Sequence, residues 1–366
     1  VLLEDLEVLN FRNLAGQAAF SPGLNIFVGQ NGQGKTNWIE AIHFLSSARS
    51  FRTARIQECI TFGQQLALVK GTVRESPEIA RSLQAAVEGS AKILMVNGKK
   101  ESTARYLGQL HSVVFNAESL AVVQGHPEAR RRFLDQGIVS LHPPFIQTLS
   151  DYNRVIKQKN SLLQQARVDD LSLEKVSEAL APWNEQLSSL AARIHRGRIR
   201  YVERLNAVLE RRLFSGEEIT MRYISALEGK GDLSDYEALI SERLKLRTQA
   251  EVIAGHALIG THRDDLEIMF DGHDLRRFGS AGQQRSAILL LLLAAIEVYR
   301  STRGEYPIFL IDDIDAELDY QRIGQLLEYL TNKTQTFVTT SKDSFVDKFG
   351  QNARIFPVEN GTAKIQ

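Results

Sequence analysis

A chain of 366 residues can hold one large or two medium domains with a sizeable core, and its 43% hydrophobic and 24% charged residues are ordinary for a globular protein. Lys+Arg and Asp+Glu both number 44, so net charge neither supports nor excludes nucleic acid, and only a local basic patch could carry that case. The single cysteine, Cys59, excludes an intrachain disulfide and suits a reducing compartment.

The opening Val1-Leu2-Leu3-Glu4-Asp5 has neither a basic stretch nor a long apolar run and does not read as a signal peptide. Residues 6–11 alternate as a strand, and 13–20 hairpin back toward the strand that precedes the glycine loop. Gly23-Leu24-Asn25-Ile26-Phe27-Val28 is a short apolar strand. It leads into Gly29-Gln30-Asn31-Gly32-Gln33-Gly34-Lys35-Thr36, which fits the P-loop pattern G-x-x-x-x-G-K-[ST] at every fixed position. Residues 37–45 then space their apolar side chains as a helix. Strand, glycine loop and helix are the order the chemistry needs, because backbone N–H groups curl around a phosphate and the helix N-terminus adds its positive end. Lys35 would reach the β- and γ-phosphates of ATP, and the Thr36 hydroxyl would ligate Mg²⁺. A chance glycine-rich turn would not bring both flanks with it.

A polar, basic connection follows at 46–52. Alternating runs at 66–69, 83–87 and 93–96, the last closed by the hairpin turn Asn97-Gly98, predict an antiparallel sheet. Residues 111–115 add a strand. From Pro127 the period becomes helical over 128–140, 145–165, 173–214 and 234–254. Strand texture returns at 266–270, followed by an apolar helix at 282–300 and a strand at 308–311 that is apolar throughout, as in a covered parallel sheet. A helix at 318–330 and strands at 334–340 and 355–358 complete the chain. The apolar run 287–296 is about half the length needed to cross a bilayer and reads as a buried helix. The expected fold is therefore α/β, an ATPase lobe in two parts, 1–118 and 255–366, interrupted by a mainly helical lobe at 119–254. The expected location is cytoplasmic, with no membrane segment.

Two further motifs share the ATPase lobe. The strand 308–311 ends in Asp312-Asp313, the Walker B arrangement: Asp312 would hold Mg²⁺, and Asp313 would orient or deprotonate the attacking water. Two aspartates opening a loop are common, but beside a P-loop they acquire this meaning. Ser280-Ala281-Gly282-Gln283-Gln284-Arg285 opens the apolar helix with free N–H groups and a small hydroxyl, and it resembles the ABC-type signature, whose Ser-Gly-rich turn contacts a γ-phosphate. Its plain alternative is a capped helix start with Ser280 as N-cap.

Together, Gly29–Thr36, Ser280–Arg285 and Asp312-Asp313-Ile314-Asp315-Ala316-Glu317-Leu318-Asp319 resemble the SMC-like branch of the ABC ATPases. Leu9-Asn10-Phe11-Arg12-Asn13, Phe51-Arg52-Thr53, Pro127 with Arg130-Arg131-Arg132-Phe133-Leu134-Asp135, and Thr261-His262-Arg263-Asp264-Asp265-Leu266 narrow the resemblance to the RecF family of bacterial recombination mediators, over nearly the whole chain. That resemblance implies an ABC-type head and an ATP-dependent homodimer that binds double-stranded and gapped DNA at single-strand/double-strand junctions. It further implies loading of recombinase with RecO and RecR, a place in DNA replication, recombination, repair and the SOS response, and slow, DNA-stimulated ATP hydrolysis. It adds Arg12, Asn13, Gly282 and Gln283 to the nucleotide contacts, gives Ser280 to the partner's nucleotide, and sets 316–319 where a D-loop crosses the dimer interface. Three departures from the wider ABC pattern point to slow turnover. Asn116 stands where a Q-loop glutamine is usual, Asp313 replaces the commoner Glu, and Thr339-Thr340-Ser341 replaces a switch histidine. Thr261 stands where the RecF pattern has proline, which bears on the local turn.

Residues 193–212 carry seven arginines against two glutamates. Arg193, Arg196, Arg200, Arg204 and Arg211 fall within an arc of about 80° on one helix, a stripe able to neutralise phosphates without reading sequence. The alternative is a solvated face. Arg130, Arg131 and Arg132 are a second DNA-binding candidate, their alternative being intramolecular salt bridges. A rival reading, the nucleotide-binding subunit of an ABC transporter, would need the usual Gln and His switch residues and does not explain the long insert between Lys35 and Ser280.

Overall fold

The computed structural model describes residues 1–212 and 216–364, which fall into two compact units. Among the described residues the first is built from 1–120, Arg212, Gly216 and 280–364, the second from Ala121–Arg211 and Glu217–Gly279.

Two six-stranded sheets make the first unit. One is antiparallel, in the order Leu14–Ala19, Leu2–Phe11, Leu66–Ser76, Ile79–Glu88, Ala91–Val96, Lys99–Lys100. Asn97 (φ 51°) and Gly98 (φ 75°) form its final tight turn, the left-handed pair that a two-residue hairpin demands. The other sheet runs Thr362–Ala363, Ala353–Glu359, Leu24–Val28, Thr336–Thr340, Ile308–Ile311, Ser112–Phe115, all parallel apart from the closing hairpin. Ile308–Ile311 and Thr336–Thr340 are buried along their whole length, which is why the first reads as an unbroken apolar run and not as alternation.

The helix Lys35–Ser47 touches strands of both sheets. Trp38, Ile39, Ile42, Phe44 and Leu45 are fully buried there against Leu6, Phe11 and Val69 from one sheet and Phe27, Phe337 and Phe356 from the other. Gln335 stitches the layers: its side chain accepts from Leu3 N (2.8 Å) and donates to the carbonyls of Leu3 and Ser21, each at 2.8 Å. The helix Ala281–Arg303 is long and apolar enough by composition to cross a membrane, yet its most apolar window is 67% buried, as befits a core helix. The expected helix at 318–330 is present but begins at Tyr320. A short turn, Ile314–Glu317, precedes Tyr320–Leu330, whose start Asp319 caps by accepting from Gln321 N and Arg322 N.

The second unit packs Pro127–Leu141, Phe145–Val168, Leu173–Leu209 and Tyr236–Ala254 with a three-stranded antiparallel sheet, His273–Asp274, Asp265–Phe270, Ile219–Ile224. This corrects the expected return to the ATPase lobe at 255. Residues 255–279 lie in the second unit because Asp265–Phe270 pairs with Ile219–Ile224, a strand within the insert that periodicity did not reveal. The long helix ends at Leu209, so Arg211 lies beyond it, and the part of the expected helix at 213–214 lies outside the described residues. A fully buried ion pair, Lys159–Glu251 (2.7 Å), pins the turn after Tyr236–Ala254: Glu251 Oε1 also accepts from Leu258 N (2.8 Å), and Asn184 Oδ1 accepts from the Lys159 ammonium (2.8 Å). Burial pushes the Lys159 pKa down, against the pull of Glu251.

Candidate functional site

At the carboxyl end of Leu24–Val28, the chain folds Gly29, Gln30, Asn31, Gly32 and Gln33 into a loop and enters the helix at Lys35. Gly34 is the N-cap, with φ 106°, and a Cβ on it would stand 3.1 Å from both Asn13 Oδ1 and Gly361 Cα. Only glycine meets both the conformation and the crowding. No side chain caps this helix and its first turn holds no acid. Its N-terminal N–H groups and the positive end of its dipole therefore remain available to an anion, which fits a bound phosphate. Lys35 is buried and donates to the carbonyls of Gly29 (2.7 Å) and Gln30 (2.9 Å). Burial lowers its pKa, opposed by the charges of Asp313 and Asp312.

Thr36, Asp312 and Thr339 meet at one atom. Asp312 Oδ1 accepts from Thr36 Oγ1 at 2.9 Å and from Thr339 Oγ1 at 2.7 Å. Burial pushes the Asp312 pKa up, and the Thr339 and Thr36 hydroxyls pull the other way by bonding the charged form. A threonine hydroxyl beside a carboxylate is the hard-oxygen donor set that suits Mg²⁺. Thr339 Oγ1 also accepts from Asp313 N (2.7 Å). Asp313 adopts a left-handed conformation (φ 51°), and its exposed carboxylate has no hydrogen-bond or ion-pair partner among the described residues. Thr340 Oγ1 donates to Asp315 Oδ2 and accepts from Lys342 N (3.1 Å). Asn116 stands beside this cluster, because Asp312 N donates to Phe115 O (2.9 Å), but its own Oδ1 is occupied by Ser119 N and Ser119 Oγ.

Arg12 and Asn13 do different work. Asn13 borders the loop and accepts from Asn37 Nδ2 at 2.7 Å. Arg12, expected at the nucleotide, instead forks onto Glu40 through Nε (3.0 Å) and Nη2 (2.8 Å) and gives Nη1 to Glu58 O (2.7 Å). Glu40 is fully buried on the P-loop helix and also accepts from Ser50 Oγ (2.5 Å). Arg12 thus anchors that helix from beneath. The sequence held the signal, an acid flanked on both sides by apolar residues, Trp38-Ile39 and Ala41-Ile42.

A second brace comes from the far end of the chain. Asn360 (φ 49°) and Gly361 (φ 81°) turn the hairpin between Ala353–Glu359 and Thr362–Ala363. Gly361 N donates to Gln33 O (2.7 Å), Asn360 N to Gln33 Oε1 (2.8 Å), and Trp38 Nε1 to Gly361 O (3.1 Å). A Cβ on Gly361 would fall 2.1 Å from Asn13 O. Asn-Gly is a strong hairpin signal and could have identified this turn.

Ser280 caps Ala281–Arg303 in a capping box: it accepts from Gln283 N (3.2 Å), and Gln283 Oε1 accepts from Ser280 N (2.8 Å). Ser280 and Gly282 are exposed, and among the described residues no hydrogen bond or ion pair joins 280–283 to the P-loop or to Asp312 and Asp313. One turn on, Arg285 Nε lies 3.5 Å from Glu317 Oε2.

In the second unit, Arg193, Arg196 and Arg200 are exposed on the helix Leu173–Leu209, with no ion-pair partner among the described residues. Arg204 is exposed on the same helix. The other basic cluster is corrected. Arg130, 3% exposed, forks onto Asp265 (2.6 and 3.0 Å), Arg131 donates to Asp264 O (2.7 Å), and Arg132 pairs with Glu128 (2.9 Å). Breaking a buried pair such as Arg130–Asp265 costs about 3–5 kcal/mol, whereas a hydrogen bond to a charged group returns about 1.5–3. Arg130 is therefore a staple for the motif at 261–265. Arg198 acts likewise on Asp135 (2.8 and 2.9 Å) and Thr261 O (2.8 Å).

The sequence matches the family described as the RecF/RecN/SMC N terminal domain over residues 2–364. It is 35% identical over 369 residues to the DNA replication and repair protein RecF of Ligilactobacillus salivarius, covering 98% of this chain and 96% of that one. It is 36% identical over 374 residues to the protein of the same name from Thermosynechococcus vestitus, covering 99% and 97%. Among solved structures, the recombination mediator protein "RecF-ATPrS in RecFOR pathway" superposes with a TM-score of 0.90 at 29% identity, over 100% of this chain and 98% of that chain. An SMC head bound to the C-winged helix domain of ScpA shares the fold alone, with a TM-score of 0.55 at 16% identity, over 100% and 98%.

Proposed function

Since the chain belongs to the RecF family within the RecF/RecN/SMC N terminal domain group, we propose that it is an ATP-dependent, dimeric DNA-binding protein of recombinational repair. It binds gapped or junction DNA and helps load recombinase with RecO- and RecR-type partners, hydrolysing ATP slowly under stimulation by DNA. The observation that carries the ATPase reading is the meeting of Thr36, Asp312 and Thr339 beside the buried Lys35. When bound with ATP, Mg²⁺ supplies Lewis-acid neutralisation of phosphate charge. Thr36 and Asp312 would hold it. Gly29, Gln30, Asn31, Gly32, Gln33 and Gly34 wrap the phosphates, and Lys35 binds the β- and γ-phosphates. Asp313, with a free carboxylate on a fixed backbone, orients the attacking water or takes its proton. Ser280, Gly282 and Gln283 are offered to the nucleotide of a second copy. Full-length relatedness to DNA repair proteins weighs against the transporter-subunit alternative.

DNA contact is assigned to Arg193, Arg196 and Arg200, with Arg204 extending the stripe. Reversing the first three to Glu should reduce the salt slope of DNA binding by about 2–3, since each neutralised phosphate contributes about 0.9. Affinity should fall alike for all sequences while ATPase measured without DNA persists. Fluorescence anisotropy on gapped DNA at several salt concentrations reads both quantities. Unchanged affinity and slope would return the stripe to a merely solvated face.

A further inference from the structure

We infer that Thr339 and Thr340 form a hydroxyl clasp that aims Asp313, standing in function where a switch histidine is usual; this rests on the ATPase reading above and deepens it. The two residues end the strand Thr336–Thr340 and are 1% and 0% exposed. Alternation along a strand would send their side chains to opposite faces. At this strand end both hydroxyls reach the segment 312–315 instead: Thr339 bonds Asp312 Oδ1 and the N–H of Asp313, and Thr340 bonds Asp315 Oδ2. The segment is thereby held on both sides of Asp313.

Asp313 needs such a hold. A non-glycine residue at φ 51° is strained, by roughly 1–2 kcal/mol, and keeps that conformation only where its surroundings impose it. The bond from Asp313 N to Thr339 Oγ1 imposes it directly, and the turn Ile314–Glu317 begins from it. Thr339 Oγ1 gives its one donor to Asp312 and accepts from Asp313, so it fixes the metal-side carboxylate and the water-side backbone to one atom. The hydroxyl bonds of both threonines run to the segment 312–315 and to Lys342 N. They are positioning residues, acting through Asp312 and Asp313.

Thr339→Val keeps the shape and removes both bonds, whereas Thr339→Ser keeps the hydroxyl. Single-turnover ATP hydrolysis and equilibrium ATP binding should be measured for both, for Thr340→Val and for the unaltered chain. Thr339→Val should hydrolyse about ten- to a hundredfold more slowly, the scale of a lost bond to a charged group, while its Kd for ATP moves less than about threefold. Thr339→Ser should recover most of the rate, and Thr340→Val should show a smaller loss of the same kind. Should Thr339→Val fold poorly, the Thr340→Val and Thr339→Ser comparison still decides. Hydrolysis by Thr339→Val at the unaltered rate would overturn the clasp alone, as would affinity falling in step with rate. An unaltered chain that binds ATP and never hydrolyses it would overturn the ATPase reading and the clasp with it.

Discussion

Lys35→Met is expected to lower ATP affinity by at least about a hundredfold. The β- and γ-phosphates would lose their P-loop ammonium, and two charge-assisted hydrogen bonds are together worth about 3–6 kcal/mol. The fold should survive, because among the described residues the ammonium bonds only the carbonyls of Gly29 and Gln30, which border the loop. Trp38 offers the readout. It is fully buried, stacked on Phe27 with 5.9 Å between ring centroids, and bonded to Gly361, so a loop that closes on phosphate changes its surroundings. Asp313→Asn gives the contrast. It should retain ATP within a few-fold and slow hydrolysis by about 10²–10⁴, the usual worth of a general base. Normal affinity in Lys35→Met would end the P-loop assignment, and equal loss of binding in both variants would erase the division between holding and cutting.

The second large effect is a gain of activity on mixing. If Ser280 serves the nucleotide of a second copy, each site takes Lys35 from one chain and Ser280 from the other. Homodimers of Lys35→Met and of Ser280→Arg should then both be nearly inactive, since each has two damaged sites. In the mixture, the heterodimer gathers both defects into one site and leaves the other intact. ATPase should reappear in proportion to the heterodimer formed, reaching about half the unaltered rate per heterodimer if the sites fire independently. The exposure of Ser280 and Gly282, and the lack of any bond from 280–283 to the P-loop of their own chain among the described residues, favour this arrangement. A mixture that stays silent while ATP-induced heterodimers are seen by mass photometry or crosslinking would refute trans action by a single competent site.

What the sequence disclosed divides by range. Strand, loop and helix around Lys35 are contiguous, so spacing alone carried them, and Asp312-Asp313 was legible because a fully apolar strand ends there. The Asn97-Gly98 turn was legible for the same local reason. The misreadings are long-range. Nothing near Arg130 in sequence announces Asp265, 135 positions away, so a run of three arginines looked like a phosphate patch. The boundary at 255 failed because the strand Asp265–Phe270 resembles an ATPase strand until its partner Ile219–Ile224 is known. Thr339 was noticed only as a missing histidine. Its use depends on a strand ending beside Asp312, which sheet order decides and composition does not.

The hairpin brace on the P-loop bears on how the protein comes off the ribosome. Gln33 and Asn360 are 327 positions apart, so at ~5–20 residues per second the loop waits roughly 15–65 s for the turn that steadies it. Until then Gly34 lacks one wall and Trp38 Nε1 lacks its acceptor. ATP capture would thus follow synthesis of the hairpin that carries Asn360 and Gly361, and fragments released before it would not compete for nucleotide. Nascent chains stalled before Ala353 should bind ATP at least about tenfold more weakly than the full chain. Gly361→Ala in the full chain, which keeps the strand Ala353–Glu359 but drives a Cβ into Asn13 O, should reproduce much of that loss. Stalled chains that bind ATP as tightly as finished ones would show that the P-loop matures without its C-terminal wall.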